Sequence, residues 1–409
     1  MSSAENLREA TGRLQSIGWM VGAVAAALLA VGYYLSPEDF FPAYLVAFLF
    51  WLGISLGCLA VAMIHHLSGG GWGIAIRRIL EAGYSLLPLL AILFLPLLLG
   101  LPTLYPWARP EEVAHDELLQ RKTQYLDVTF FQYRALGYFL VWVVTALVLN
   151  AMSAGSDVAG EFARRRRLAL LSGPGLILWC LTVTFASVDW AMSLEPHWYS
   201  SMYGVLFMAG QGVSGLALAI LTLLLLKDRA PLGDWYTAAR QHDLGNMLLA
   251  FVLFWSYVSF SQYLIIWSGN LPEETLWYIN RGAVPVADGV ASTQVSGWLV
   301  VVIVIMALHF LVPFLLLLSR QTKRSPRWLI GIAILLLVMR FVDLYWLVMP
   351  AFSPRAFTLH WLNLVAPLAI GGIWVAAFAW RLNARAALPV FDLPAEEEAA
   401  HDVARAPAH

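Results

Sequence analysis

The sequence predicts an all-α polytopic membrane protein with ten transmembrane helices. Three observations carry that prediction. Hydrophobic residues fill 60% of the 409 positions and charged residues only 12%, where a soluble domain carries about 25% charged residues. Mean hydropathy is +0.71. Ten apolar runs are each long enough to cross a bilayer as a helix, which takes about 20 residues, whereas a barrel strand takes about 10. Helices and closed barrels alone satisfy the backbone in lipid, so runs of this length are helical.

The runs fall at 16–35, 42–67, 83–101, 131–152, 168–190, 203–226, 243–267, 294–318, 327–349 and 360–381. No small-residue cleavage site follows the first, so it reads as a retained helix and not a signal peptide. Orientation follows from basic residues. With a cytoplasmic N-terminus, eighteen lie inside: Arg8, Arg13, Arg77, Arg78, Arg164–Arg167, Lys227, Arg229, Arg240, Arg320, Lys323, Arg324, Arg327, Arg381, Arg385 and Arg405. Five lie outside: Arg109, Arg121, Lys122, Arg281 and Arg355. That asymmetry places both termini in the cytoplasm. The RRRR run at 164–167 is then a topology anchor beside a membrane helix, and no nucleic-acid partner is implied. Two long outer loops, 102–130 and 268–293, have room to dock an extracytoplasmic partner. The polar, Ala-rich tail 388–409 reads as disordered.

A weak internal repeat organises the spans. VDWAMSLEP (188–196) ends span five and VDLYWLVMP (342–350) ends span nine, with Val, Asp and Pro in register. His-Trp follows each, at 197–198 and 360–361. The repeat divides residues 1–387 into two four-helix bundles, spans 2–5 (42–190) and 6–9 (203–349), with spans 1 and 10 (1–41 and 360–385) peripheral to them. Parallel repeats of this kind build many membrane proteins.

Ionisable groups inside a bilayer are costly and mark functional positions. At 1.5 Å per helical residue, Asp189 lies ~32 Å along span five and Arg134 only ~5 Å into span four, so both sit near the outer boundary. They are within pairing reach if those spans pack, as a structural ion pair or as a proton relay. Glu195 and His197 follow Asp189 in a short hairpin, among Trp190, Trp198, Tyr199 and Tyr203, aromatics that suit a membrane-interface belt. At the inner end, His65 and His66 close span two, while Arg77, Arg78 and Glu81 lead into span three through a Gly-rich link. These groups should crowd together, as a solvated helix-end cluster or as a site of proton uptake by histidine. Arg340 and Asp343 share one face of span nine, ~20–24 Å from its inner start, as a neutral pair or a proton-transfer pair. His309 lies at a different depth in span eight and reads as a buried histidine bonded to a carbonyl. Cys58 and Cys180 are too few for an iron–sulfur cluster or covalent haem, so no cofactor and no metal site is expected in this chain.

Three stretches carry a resemblance to a known family: FPAYLVAFLFWLGISLGCLAVAMIHHLSGGGWGIAIRRILEAG (41–83), FLPLLLGLPTLYPWA (94–108) and LSGPGLILWCLTVTFASVDWAMSLEPHWYSSMYG (171–204). They resemble the ActF membrane subunits of bacterial alternative complex III, a quinol:cytochrome c oxidoreductase whose large membrane subunits are polysulfide-reductase-like (NrfD-like). The resemblance covers about residues 16–385. It implies a cofactor-free subunit of a respiratory complex in the bacterial inner membrane, with a proton-translocation path as a further role. The implied partners are a homologous membrane subunit that holds the quinol site, an extracytoplasmic iron–sulfur subunit, multihaem cytochrome c subunits, membrane lipids and a terminal oxidase. Haem c, iron–sulfur clusters and quinol would belong to those other subunits. His65, His66, Glu81, Asp189, Glu195 and His197 fall within the matching strings and are carried as proton-pathway candidates beside Arg134, His309, Arg340 and Asp343. Two other readings stay open. An active quinol-binding subunit would use Arg134, Asp189 and His197 near the outer surface. An independent secondary transporter would move a solute by itself.

Overall fold

A computed structural model of the chain describes residues 3–153, 161–229, 236–282, 286–287, 290–291 and 296–384. The expected disorder at 388–409 lies outside the described residues. Ten helices there are long and apolar enough to cross a membrane: Leu7–Leu35, Pro37–Ser68, Arg77–Leu99, Val128–Ser153, Arg165–Leu194, Tyr203–Leu226, Ala238–Gly269, Gly297–Leu318, Pro326–Ala351 and Leu362–Ala384. The chain is a multi-pass membrane protein, and the spans are numbered in that order. Among the described residues, β-structure is confined to a two-residue ladder, Val286–Ala287 against Val290–Ala291, in the loop after span seven. An even number of crossings leaves both ends of the helical set on one side, the terminal side. The connections after odd-numbered spans lie on the opposite, loop side.

Local chemistry sets the helix ends. Pro37 opens span two, where its missing N–H costs nothing, and Glu38 and Asp39 occupy the first turn, where the helix dipole favours acidic groups. Span seven starts at the Thr237 cap, whose hydroxyl accepts from the Arg240 N–H, and span eight at Ser296, which accepts from Leu299 N–H. Span three begins at Arg77, ahead of the expected start at 83. Arg77 and Arg78 both bond Glu81 within the first turns, so all three enter the helix instead of the link before it. Its helix is interrupted between Tyr84 and Leu87, just ahead of Pro88.

Spans two and six form the centre. In their apolar windows 83% and 78% of residues are buried, against 17% in span eight. The two touch backbone to backbone, because a Cβ on Gly57 would sit 1.8 Å from the Gln211 carbonyl oxygen and one on Gly215 would sit 2.4 Å from the Gly57 carbonyl carbon. Spans three and five pack on span two, with span four laid across them; spans seven and nine pack on span six, with span eight laid across them. That gives two four-helix bundles. Spans one and ten lie outside both as an antiparallel pair. Gly18 and Gly22 face Gly372 and Ala376 with no room for a larger side chain, the small-residue packing that membrane helices use for close approach. Span ten also docks on span two: Trp51 Nε1 donates to the Pro367 carbonyl at 3.0 Å and Trp374 Nε1 to Ser55 Oγ at 2.9 Å.

Span eight changes pitch in mid-membrane. Met306–Leu311 is π-helical, and Val312 N–H bonds the Ala307 carbonyl five residues back. Pro313 supplies the cause: it has no N–H for the carbonyl four residues earlier, that of His309, and its ring would collide with that carbonyl in an α-helix. Widening the turn relieves the collision and swings His309 inward, where it is fully buried.

Candidate functional site

Among the described residues the candidate side chains fall into four groups. In bundle one on the loop side, Arg134 of span four grips Asp189 of span five with both prongs of its fork: Nε to Oδ2 at 2.8 Å and Nη2 to Oδ1 at 3.0 Å. Tyr138, one helical turn on from Arg134, donates to the same carboxylate at 2.7 Å. The third arginine nitrogen donates to the Tyr125 carbonyl at 2.8 Å. The guanidinium also lies 4.0 Å from the Tyr125 ring centre and 4.4 Å from that of Phe130. Asp189 is wholly buried. The pairing expected from depth is present. A search for charged groups misses Tyr138, whose signal is its i+4 spacing from Arg134 on one helix face.

On the terminal side of bundle one, Glu81 is buried and surrounded. Arg77 Nε reaches Oε1 at 3.1 Å, Arg78 Nη1 reaches Oε2 at 2.5 Å, and the Ser153 hydroxyl of span four donates to Oε1. Arg77 also donates to Ser153 at 2.9 Å. The expectation of a solvated helix-end cluster fails here, since Arg77, Arg78 and Glu81 are 7%, 6% and 2% exposed. The histidines close the same end with other contacts. His66 Nδ1 is 3.0 Å from Ser172 Oγ of span five, and His65 Nε2 is 3.1 Å from the Gly70 carbonyl. Gly73 is required there, because a Cβ would fall 2.0 Å from the His65 ring.

The hairpin after span five corrects a further expectation. Trp190, Trp198 and Tyr203 are buried inside the protein and not spread along a membrane interface; only Tyr199, 61% exposed, suits that belt. Glu195 accepts from Arg281 Nη2 at 2.5 Å. Arg281, in the loop after span seven, also donates to the Leu347 carbonyl at 2.8 Å and lies 3.6 Å from the Trp277 ring centre. Trp198 stacks on that same Trp277, 4.5 Å between centres. The hairpin of bundle one is thereby fastened to bundle two. In the sequence Arg281 is only a loop charge, and nothing in its neighbourhood points to Glu195. His197 turns away from this clamp, with Nε2 2.7 Å from Asp116 Oδ2. Asp116 caps the helix Glu117–Lys122, accepting from the N–H groups of Leu118 and Leu119. Those bonds, that of Leu119 first, then His197, hold its carboxyl below the usual carboxylate range. A depressed carboxyl stabilises at pH above its unfolded value and stops doing so as pH falls through its folded value. Protection of the Leu118 and Leu119 amides, measured as exchange slowed relative to the intrinsic rate at each pH, should therefore persist at neutral pH and be lost only in acid below that range.

Bundle two holds the fourth group. Arg340 and Asp343 form the i,i+3 pair expected on span nine, Arg340 Nη1 donating to Asp343 Oδ2, both 2% exposed. Trp255 Nε1 of span seven donates to the same Oδ2 at 3.2 Å. The guanidinium fits because span six carries Gly210, where a Cβ would lie 2.1 Å from Arg340 Cζ. His309 joins this group despite its different backbone depth: its ring lies 4.1 Å from that of Trp255, tilted by 32°. Residue counting along a straight helix gives backbone depth alone, and the indole of Trp255 spans the remaining offset between His309 and Asp343. The expected carbonyl bond is missing too, for neither ring nitrogen has a hydrogen-bond partner among the described residues. Pro313, four residues after His309, is the sequence signal for the distorted turn. Tyr203, buried at the start of span six, lies within electrostatic reach of both Arg281–Glu195 and Arg340–Asp343.

Chemically, the four groups differ. Protonating Asp189 or Glu81 means breaking several charge-assisted hydrogen bonds, whereas neither ring nitrogen of His309 is bonded to a described residue. Among the described residues no cluster of three or more His, Cys, Asp or Glu has a metal-binding arrangement. The sequence matches no protein-family model, and no curated protein matches it.

Proposed function

We propose that this chain is an integral subunit of a bacterial quinol-oxidising respiratory complex of the alternative complex III kind, lying in the inner membrane with both termini in the cytoplasm. Quinol oxidation and electron transfer to cytochrome c or another acceptor would take place on partner subunits, and this chain would contribute the membrane scaffold and proton handling. The supporting observation is the pair of repeat-related aspartates, Asp189 and Asp343, each buried in its own bundle against an arginine. Such groups are expensive within a membrane, and the Asp343 pair alone of the two has beside it, across Trp255, a histidine whose ring nitrogens bond no described residue.

The arrangement supports different work for the two bundles. Asp189 is held by Arg134 and Tyr138 of span four, and Glu81 by Arg77 and Arg78 of its own helix and Ser153 of span four, so they act as fasteners. The proton-handling group is His309 beside Trp255, Asp343 and Arg340. In the purified complex reconstituted into liposomes, His309→Phe keeps an aromatic ring against Trp255 and removes the titrating nitrogens. It should cut protons translocated per electron more than about tenfold, the scale on which proton-transfer groups act, while quinol oxidation continues. Normal pumping by an assembled His309→Phe complex would exclude this role. Asp343→Asn should reduce pumping as well, and Glu81→Gln should reduce assembly first.

The quinol-binding reading draws less support, because Arg134 and Asp189 occupy each other and His197 is engaged with Asp116. A quinone bound among spans two to five in the purified complex would favour it. Solute flux in liposomes containing this chain alone would favour the transporter reading.

A further inference from the structure

A small cavity lies where span six closes over bundle one. Spans two, four, five and six wall it, and its lining includes Leu52, Trp142, Ser187, Trp190, Phe207 and Gln211. Its volume is about 10 Å³, room for one water molecule and nothing larger. Two of its lining residues carry complementary unpaired groups. Trp190 Nε1, a donor, and Gln211 Oε1, an acceptor, are both buried and have no hydrogen-bond partner among the described residues. The other polar groups are spoken for as donors. Trp142 Nε1 donates to Thr182 Oγ1 at 2.8 Å. Ser187 spends its hydroxyl proton on the Thr184 carbonyl at 2.8 Å and so keeps its lone pairs free to accept.

We infer that this cavity is a binding site for a single buried water that accepts from the Trp190 indole and donates to Gln211 and Ser187. Dry cavities in proteins are apolar, and a buried water needs two to four polar partners; this one has a donor and two acceptors in a space of the right size. An unsatisfied buried amide or indole is unfavourable, and here one molecule satisfies both. The bridge also has a definite place in the fold. Gln211 is the residue whose backbone carbonyl Gly57 approaches, and its neighbour Gly210 makes the space for Arg340. Trp190 follows Asp189 directly. The water thus ties the aspartate layer of bundle one to the span that borders the arginine of bundle two. The inference is independent of proton handling and of any partner subunit.

The test uses the full-length chain in lipid bilayers, labelled with nitrogen-15 at tryptophan, and magic-angle-spinning NMR. A through-space cross-peak between the Trp190 indole N–H and a water proton is expected, and it should vanish in Gln211→Met. Thermal unfolding of Gln211→Met, Trp190→Phe and the double variant supplies a second readout. With a bridging water each single change lowers Tm by about 2 °C or more, and the double change costs less than their sum, because either one already releases the water. Absence of the cross-peak in the unaltered chain, its persistence in Gln211→Met, or additive changes in Tm would each overturn the inference.

Discussion

Gly57→Val is expected to abolish accumulation of folded protein. Any β-carbon at position 57 would lie 1.8 Å from the Gln211 carbonyl oxygen, 2.7 Å from its carbon and 3.0 Å from the Gly215 nitrogen. All three are backbone atoms, so no side chain can turn aside, and spans two and six would have to separate. Overpacking a core ordinarily costs about 1–3 kcal/mol. Here the displacement would open the contact on which both bundles are assembled, and membrane helices rely on close packing where the hydrophobic effect offers no help. Gly53, one turn earlier on span two, is the control. A Cβ there meets only Gln211 Cγ at 3.6 Å, an ordinary contact, so Gly53→Ala should be tolerated. Size-exclusion chromatography of detergent-solubilised membranes separates these outcomes. A monodisperse Gly57→Val peak at the normal position would show that the two spans need not touch.

The second large effect concerns Arg134. Replacing it by Met leaves Asp189 buried with Tyr138 as its remaining side-chain donor, and breaking a buried pair from one side costs about 3–5 kcal/mol. Arg134→Met should therefore unfold at a much lower temperature than the unaltered chain. Combining it with Asp189→Leu should recover most of the loss, because replacing a whole buried pair by apolar groups of similar size is close to neutral. Tyr138→Phe removes one bond to a charged acceptor and should cost about 1.5–3 kcal/mol. A double variant no more stable than Arg134→Met would mean that the arginine is retained for its stacking on Tyr125 and Phe130 and not for the charge it neutralises.

These cases show which features can be read along the chain. Arg134 and Asp189 can be placed at one depth because depth follows from residue count and rise. The matching positions of Asp189 and Asp343 are visible because a repeat is written in linear order. Trp190 and Trp198 defeat the expectation of an interfacial belt for a reason peculiar to membranes. A helix face packed on a neighbour and a face turned to lipid are both apolar, so the periodicity that separates inside from outside in a soluble protein carries little information here. Arg281 is invisible as the partner of Glu195, since the two are 86 residues apart in separate loops. His309 escapes because depth counting places a backbone and not a ring, and the Trp255 indole bridges the offset to Asp343.

What the sequence by itself determined is therefore the membrane class, the number of spans, their approximate ends, the two-bundle division and the polar residues that must avoid lipid. Each follows from local hydropathy, helical rise, a repeat along the chain or the cost of burying charge, which need no knowledge of neighbours. Only the tertiary structure decided which helices lie at the centre, that Glu81 is enclosed by Arg77, Arg78 and Ser153, that Glu195 fastens the bundles through Arg281, and that His309 meets Trp255. Those contacts depend on which face of each helix turns toward protein, and lipid, being as apolar as the helix core, leaves that choice to packing.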